Sequence, residues 1–444
     1  PDLATGGQPC WRASFALVAL SASMRRRRTS PRVATPDPQP TRVTSPPTNS
    51  PAHGLCEPIS HRGLRWFRTL FLLALVYDSW CMATRGEMAD FFGRPAGLNF
   101  VYPAAPWVRP LPAPLMEWMP HAIGGAALVA LVFPCCGLAA ATGLQAYLFL
   151  CDAARYVNHH YLYILLSALL LLAAVDTPRG AECRLWHLQL LRLQLCVVYF
   201  FGALVKCSRE FLLEGEPLRI YLRAAVAAGR PLHPLQGALD SEGAVALLAP
   251  LAALYDLLAP VALWHPWPRV RWAAVAVGVG FHATNSLLFA TIHSFPFVCT
   301  AAYLLFLRCS GTPPPPPPPP QPPQPPCRAR LVCSGAAAAA WVAVQLLLPL
   351  RPWLQSADPS WSKLGDTFAW RMMADVSDGW VSLTLHLPGE APSTVHPQSS
   401  GAPVLLPAHS IPLLLTSPHM LEQYVAAEAR AACAAWRARR RRRG

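Results

Sequence analysis

The chain has 444 residues, of which 53% are hydrophobic and only 14% charged, and its formal net charge is +14. This apolar balance excludes a set of ordinary soluble domains and predicts a protein that crosses a membrane several times. The positive charge does not indicate nucleic acid, because the arginines cluster in terminal arms and loops with few aromatic residues between them. Positive-inside topology and attraction to anionic lipid explain it more simply. We therefore expect membrane lipid, and no nucleic acid, among the partners.

The 14 cysteines form neither a Cys-x-x-Cys pair nor a zinc spacing. Several lie inside apolar runs, where they act as small hydrophobic residues. These are Cys135, Cys136, Cys151, Cys196 and Cys299. Cysteine usage therefore leaves disulfides and the redox compartment undecided.

The N-terminal arm, residues 1–60, is rich in proline, serine, threonine and arginine, which predicts disorder. Its apolar run at 15–20 is too short to span and precedes the arginine cluster at 25–28, which argues against a cleaved signal peptide. The chain begins at Pro1, and Met24 is an alternative start. The basic arm predicts a cytosolic N-terminus.

Hydropathy predicts an all-α multi-span membrane bundle with about nine transmembrane helices and a short β-rich lumenal extension. The predicted helices are 66–84, 120–135, 136–152, 158–175, 186–206, 245–264, 270–289, 293–309 and 331–350. The second and third are also compatible with one long helix broken at Pro134. With a cytosolic N-terminus, nine spans place the chain after residue 350 in the lumen.

A proline-rich run interrupts the bundle after its first eight predicted helices, over 61–310. Residues 313–326 hold twelve prolines and two glutamines, which predicts an extended polyproline II spacer in a cytosolic linker at 311–330. Two interpretations are open for this run: a ligand for a proline-binding module, or a low-complexity insertion. The last transmembrane helix follows at 331–350.

Beyond residue 350 the hydropathy falls, and spaced apolar residues predict short strands in a lumenal region at 351–436. These residues are Trp361, Phe368, Trp370, Val381, Leu383 and Leu385. A helix is predicted over 420–436, followed by an arginine-rich tail at 437–444.

Lysine is rare in this chain, since only Lys206 and Lys363 are lysine among 37 basic residues. Lys206 ends the apolar run 197–206. Arginine stays protonated in proteins, whereas a lysine in apolar surroundings can lose its proton and act as a base. The alternative is a lysine that snorkels from a helix end to the membrane interface.

In the predicted topology, three helices bring polar groups to one leaflet of the membrane. Asn158, His159 and His160 begin the fourth helix, Lys206 ends the fifth, and His282 and Asn285 share one face of the seventh. Ionisable groups at this depth are costly and mark functional cavities. Two other interpretations are open: His159 with His160 as an interfacial polar pair, and His282 with Asn285 as a hydrogen-bonding contact between helices.

Two carboxylates inside apolar runs, Asp78 and Asp256, are weaker candidates that would face a water-filled interior. No His-x-x-x-His pair and no carboxylate at ligand spacing accompanies the histidines, so we expect no metal site.

Four motifs occur in one order along the chain: NHHYLY at 158–163, VYF at 198–200 running on to Lys206, FHATNSLLF at 281–289, and FAWRMM at 368–373. Together they resemble the vitamin K-dependent gamma-glutamyl carboxylase family, of the horizontally transferred transmembrane domain type. The similarity extends from about residue 60 to about residue 430.

The resemblance implies a multi-pass enzyme of the endoplasmic reticulum membrane with a cytosolic N-terminus and a lumenal C-terminus. Such an enzyme carboxylates glutamate side chains of a protein or peptide substrate while vitamin K hydroquinone is oxidised to its epoxide. Oxygen and carbon dioxide are the co-substrates, no metal is needed, and a quinone reductase supplies the quinol.

By match to the family motifs, Lys206 is implied to be the base that deprotonates the hydroquinone. His159 is implied to stabilise or reprotonate the glutamyl carbanion, and His282 to line the site. Asn158, Tyr199 and Asn285 are then candidate substrate- or cofactor-binding residues, and no role is assigned to His160. The residue type suits the chemistry, because a phenol with a pKa near ~10 needs a deprotonated amine as its base near neutral pH.

The chain departs from the family at two places. Val205 replaces a lysine that the family often has beside the catalytic one, and the sequence stops soon after Met420–Tyr424, where family members continue into a larger lumenal domain. Three interpretations are open: the protein modifies a different substrate, it lacks tight propeptide binding, or the sequence is truncated. A non-carboxylating multi-span protein that binds or transports a quinone or another lipid is the alternative function, and a purely structural role for the polar residues is the third.

Overall fold

The computed structural model describes most of the chain from residue 55 onward. The described residues are 55–93, 98–177, 182–227, 242–289, 292, 294–307, 328–355, 358–373, 380–397, 404, 406 and 413–443. The proline-rich run at 313–326 and all of the N-terminal arm before residue 55 lie outside them. Within the described part of that arm, Pro58–Ile59 form a strand, so the predicted disorder does not reach residue 60.

Helices make up most of the described chain. In order they are α1 (Arg62–Thr84), α2 (Glu87–Phe92), α3 (Ala113–Glu117), α4 (Met119–Val132), α5 (Pro134–Cys151), α6 (Asn158–Asp176), α7 (Leu185–Lys206), α8 (Glu216–Ala227), α9 (Glu242–Trp264), α10 (Pro268–Leu288), α11 (Phe295–Ala302), α12 (Arg328–Leu347), α13 (Pro359–Ser362), α14 (Leu413–Thr416) and α15 (Pro418–Arg443). Short 3₁₀ segments follow α5 (Ala153–Arg155), α11 (Tyr303–Leu305) and α12 (Leu348–Leu354), and a π-helical turn, Glu210–Glu214, precedes α8.

The strands form two small antiparallel sheets. One pairs β1 (Pro58–Ile59) with β2 (Cys183–Arg184), with Pro58 opposite Arg184. The other pairs β3 (Leu383–Leu385) with β4 (Ser393–Val395), with Leu383 opposite Val395.

Six helical segments in the described part of the chain are long and apolar enough to cross a membrane, which makes this a multi-pass membrane protein. They are Ala113–Val132, Pro134–Cys151, Asn158–Asp176, Leu185–Lys206, Gly243–Trp264 and Gly335–Leu354. The predicted count of nine is not confirmed. The other three predicted spans are helical but fit a span less well: α1 carries three arginines and Asp78, α10 is less apolar, and Phe295–Leu305 is short, about 16 Å against the ~30 Å apolar core of a bilayer.

The second and third predicted spans are separate helices. They meet at Phe133, whose backbone leaves the helical conformation (φ −117°, ψ 77°) just before Pro134. The chain then doubles back so tightly that a Cβ atom at Gly137 would lie 2.2 Å from the backbone nitrogen of Ala130. A single long helix through Pro134 is therefore excluded.

Helix α7 lies at the centre of the bundle. It begins where the backbone N–H of Arg184 donates to His187 Nδ1, and 72% of its span is buried inside the protein, compared with 17% for Gly335–Leu354. Its apolar side chains belong to the same buried core as Phe67 and Phe71 of α1, which are fully buried. This central position brings Lys206, at the end of α7, into the interior.

The strands predicted in 351–436 are confirmed only in part for the described residues. Leu383 and Leu385 lie in the predicted strand β3, which pairs with β4, but these two three-residue strands do not make the region β-rich. The aromatic residues expected in strands instead pack onto the bundle: Trp370 is fully buried and stacks on Tyr161, with ring centroids 4.9 Å apart. Phe368, Trp370 and Met373 also have positive φ angles of 66°, 56° and 53°, which a strand does not allow.

The predicted helix at 420–436 is present as α15 but is longer than expected, since it continues through the arginine-rich tail to Arg443. Likewise α12 begins at Arg328, three residues before the predicted start at 331.

Candidate functional site

Lys206 forms a buried ion pair. Its Nζ lies 2.8 Å from Asp256 Oδ2 of α9 and also donates to the carbonyl oxygen of Gly202, one turn earlier, at 3.1 Å. Lys206 and Asp256 are 7% and 5% exposed. The snorkelling alternative is therefore wrong for this structure, because the amine points to a partner inside the protein. The expectation that Asp256 faces a water-filled interior is also wrong, because its carboxylate contacts Lys206.

Gly202, one helical turn before Lys206, leaves room for the FAWRMM segment. A Cβ atom at Gly202 would lie 3.4 Å from Asp256 Oδ2 and 3.5 Å from Met372 Cε. The FAWRMM motif, far away in sequence, thus reaches the ion pair through Met372.

A chain of hydroxyl groups lies on the same side of α7. Tyr199 OH is 2.7 Å from His282 Nε2 and 2.7 Å from Tyr303 OH, and Tyr303 OH is 2.5 Å from Tyr255 OH. Tyr255 immediately precedes Asp256 on α9, so the network and the ion pair use the same two helices, α7 and α9. We call these six residues the Lys206 cluster: Tyr199, Lys206, Tyr255, Asp256, His282 and Tyr303.

Helix α10 can approach this network only because it carries a glycine. A Cβ atom at Gly278, one turn before His282, would lie 2.5 Å from Tyr303 OH and 2.6 Å from its ring carbon Cζ. His282 is 2% exposed. Among the described residues, Tyr199 is the hydrogen-bond partner of its Nε2.

Asn158, at the start of α6, holds the FAWRMM motif. Its Nδ2 donates to the backbone oxygen of Arg371 at 3.2 Å, and its Oδ1 accepts from Tyr156 OH at 2.8 Å. Tyr156 OH in turn accepts from the backbone N–H of Phe368 at 2.7 Å. Asn158 therefore positions backbone in this structure, which is compatible with the predicted binding role but does not test it.

The two adjacent histidines of α6 lie close to the carboxylate of Asp78, a proximity that the sequence did not predict. His160 Nε2 lies 3.3 Å from Asp78 Oδ2 of α1, and Asp78 Oδ1 accepts from Ser294 Oγ at 3.0 Å. Ser294 Oγ is also 2.8 Å from Tyr163 OH. We call this group the His160 cluster: Asp78, His159, His160, Tyr163 and Ser294.

The His160 cluster has the donor types of a metal site. One ligand atom from each of Asp78, His159 and His160 lies within 4.8 Å of the other two. The stated reason for expecting no metal, the lack of a carboxylate partner, was therefore wrong. A cation is still disfavoured here, because the guanidinium of Arg155 faces the same space and already supplies positive charge.

Arg155 and His160 border a cavity of about 30 Å³ between α1, α4, α5 and α6, which is room for about two water molecules. Arg155 is 6% exposed, and its Nη1 makes no hydrogen bond to another described residue. Burial lowers the pKa of Arg155 from its usual value, and nearby carboxylates, that of Glu87 first, oppose this shift.

A single phenylalanine connects the two clusters. The ring centroid of Phe295 lies 6.4 Å from that of His159 and 6.4 Å from that of His282. Phe295 thus links His159 of α6 with His282 of α10, two of the three residues predicted as catalytic. Asn285 stands apart: it is half-buried, and its side chain makes no hydrogen bond to another described residue.

Sequence reasoning missed the tyrosines Tyr255 and Tyr303. It named Asp78 and Asp256 as weaker candidates but did not predict that they pair with His160 and Lys206. The only available signal was that Asp78 and Asp256 are acidic residues in apolar helices. The roles predicted for Lys206, His159 and His282 stay predictions.

Comparison with known proteins gives one result. A family model described as the HTTM domain matches residues 56–310, which is more than half of the chain. No curated protein and no solved structure matches it. The chain therefore belongs to the HTTM domain family, the transmembrane domain family related to vitamin K-dependent gamma-carboxylase.

Proposed function

We propose that this protein carboxylates glutamate side chains of a protein substrate at the gamma carbon while vitamin K hydroquinone is oxidised to its epoxide. The buried pair of Lys206 and Asp256, on the same two helices as a hydrogen-bonded tyrosine–histidine network, is the observation that carries the proposal. Membership of the HTTM domain family supports the same reaction class. Oxygen and carbon dioxide are the proposed co-substrates, and the endoplasmic reticulum membrane is the proposed location.

The residues around Lys206 fit a hydroquinone as the proton donor. An amine beside a carboxylate can take up a phenolic proton, and the apolar helices around it suit a prenylated quinol that enters from lipid. When bound, reduced vitamin K supplies an acidic hydroxyl and an oxidation by oxygen that yields a base strong enough to remove the gamma proton of glutamate.

Lys206 and Asp256 act as one unit in this proposal. As ammonium and carboxylate the pair is neutral overall, so Lys206 has no free electron pair in that state. In the proposed step Nζ first gives one of its own protons to Asp256 Oδ2, which lies 2.8 Å away, and the amine that results then accepts the proton of the hydroxyl. The pair then carries a single positive charge beside the anion that it has formed, which avoids a lone charge in an apolar interior.

The histidines hold or move protons at the other side of the site. His282 Nε2 shares a proton with Tyr199 OH, so it can orient that hydroxyl within the network. In the proposal His159 stabilises a glutamyl carbanion or returns a proton to it, and its neighbour His160 borders the cavity that Arg155 also lines.

The test is incorporation of labelled bicarbonate into a glutamate-rich peptide by purified protein supplied with reduced vitamin K and oxygen. We expect label in the peptide and vitamin K epoxide in the lipid extract, both dependent on the quinol. Lys206→Ala should lose both products, and an added small amine should restore part of the epoxide by replacing the missing base. Epoxide formation at the wild-type rate in a folded Lys206→Ala variant would overturn the proposed base.

A further inference from the structure

A second, larger cavity lies at the end of the bundle where α9 ends and α10 begins. Its volume is about 560 Å³, within the ~300–1,000 Å³ typical of small-molecule sites. Two arginines and two tryptophans line it, Arg192, Arg271, Trp264 and Trp272, and none of its described lining residues is acidic. The cavity therefore combines positive charge with a broad apolar wall.

Arg192 is held in place by the protein. Its Nε donates to the backbone oxygen of Leu305 at 2.8 Å, and its guanidinium carbon lies 5.6 Å from the ring centroid of Phe306. A carbonyl and a ring face thus fix the orientation of the side chain.

Arg271 is fixed in a similar way from α10. Its Nη1 donates to the backbone oxygens of His265 and Pro266 at 2.7 and 2.9 Å. Its Nε is buried and makes no hydrogen bond in the described part of the chain. Arg271 thus brings a second positive charge and a further buried donor to the cavity, which together favour an anion.

The tryptophans indicate the depth of the cavity in the membrane. Trp264 and Trp272 are 46% and 59% exposed, and exposed tryptophans at the ends of membrane helices are typical of the lipid headgroup region. Arg192 and Lys206 are 14 residues apart on α7, about 20 Å along a helix. The cavity is therefore separate from the Lys206 cluster.

We propose that this cavity binds the headgroup phosphate of an anionic phospholipid, with the acyl chains against the tryptophans. A basic pocket between membrane helices suits such a headgroup, and the apolar wall favours a lipid over a soluble phosphate. The site does not depend on the proposed carboxylation.

Titration of the purified full chain with lipid, followed by native mass spectrometry, tests the proposal. The probes are phosphatidylglycerol, phosphatidylcholine and, as a headgroup without acyl chains, glycerol 1-phosphate. We expect phosphatidylglycerol to bind most tightly. Arg271→Gln should weaken its binding about 5-fold, the effect of one positive charge near a lipid surface, whereas Arg271→Lys should keep most of the affinity.

Arg269→Gln is the matched control, because Arg269 is exposed, lies two residues away on the same helix, and is outside the cavity lining. It should leave lipid binding unchanged. Equal losses in Arg269→Gln and Arg271→Gln would show a general surface-charge effect and overturn the site. Equal binding of the two lipids, or glycerol 1-phosphate binding as tightly as lipid, would also overturn it. If Arg271→Gln does not fold, Arg192→Gln compared with Arg192→Lys decides the question in the same way.

Discussion

The Lys206 cluster and the His160 cluster lie in one bundle but differ in how their charges are balanced. In the first, one ammonium meets one carboxylate at 2.8 Å, and the nearby hydroxyl groups are linked by hydrogen bonds. In the second, a single carboxylate serves a histidine and a serine beside a cavity that a buried guanidinium also faces. A compact neutral pair suits the uptake of one proton, whereas a roomier, mixed-charge site suits small polar molecules.

The largest expected effect concerns the ion pair. Replacing only one partner, by Lys206→Met or Asp256→Leu, leaves a buried charge without its counter-charge, which should lower the free energy of unfolding by about 3–5 kcal/mol. The double replacement should recover most of this loss, because no charge is then buried. Denaturant unfolding in detergent measures it, and single variants as stable as the wild type would show that the pair is not buried.

A smaller loss is expected in the His160 cluster. Asp78→Asn removes the charge from one ion-pair contact, with His160, and from one hydrogen bond, with Ser294, and should cost about 1.5–3 kcal/mol. Asp90→Asn, at an exposed position on α2, is the matched control and should stay within about 0.5 kcal/mol of the wild type. If Asp78→Asn and Asp90→Asn had the same free energy of unfolding, the charge of Asp78 would not stabilise the His160 cluster.

The glycine of α10 gives the next effect. Gly278→Ala places a methyl group against the buried ring of Tyr303, and such overpacking should cost about 1–3 kcal/mol while it disrupts the hydrogen bonds of the Lys206 cluster. Gly280→Ala meets nothing within 4 Å and should be neutral or slightly stabilising. Thermal unfolding of the two variants side by side compares them, and equal midpoints would contradict the close approach.

The smallest expected effect is the energetic coupling between the clusters. Phe295 contacts both through weak ring contacts, so Tyr199→Phe and Ser294→Ala should add within about 0.5 kcal/mol in a double-mutant cycle. A larger interaction energy would show that the two clusters form one network.

Local sequence pattern was enough for most of the helices but not for their partners. Long apolar runs predicted α4 to α7, α9 and α12 near their observed bounds, because burial in lipid demands continuous apolar helices. The same reasoning failed after residue 350, where alternating aromatic residues such as Phe368 and Trp370 pack on the bundle with positive φ. Tertiary packing decides the backbone conformation of these residues, and the alternation of apolar residues along the sequence does not predict that packing.

Prediction of the candidate site shows the same limit. The polar residues of the motifs were identifiable because each is unusual in an apolar helix. Their pairing could not be predicted, because Asp256 is 50 residues from Lys206 and Asp78 lies on α1, a helix outside the four motifs. Which carboxylate reaches which base depends on how α1, α6, α7 and α9 pack together.

The central claim is that Lys206 takes up a proton, and the most direct measurement is the rate of vitamin K epoxide formation in matched lysine-to-arginine variants. Lys206 and Lys363 are the only lysines of the chain, and both are buried. Arginine keeps the positive charge but does not give up its proton. The account predicts that Lys206→Arg loses epoxide formation while Lys363→Arg retains it. Epoxide formation at the wild-type rate in a folded Lys206→Arg variant would contradict the account.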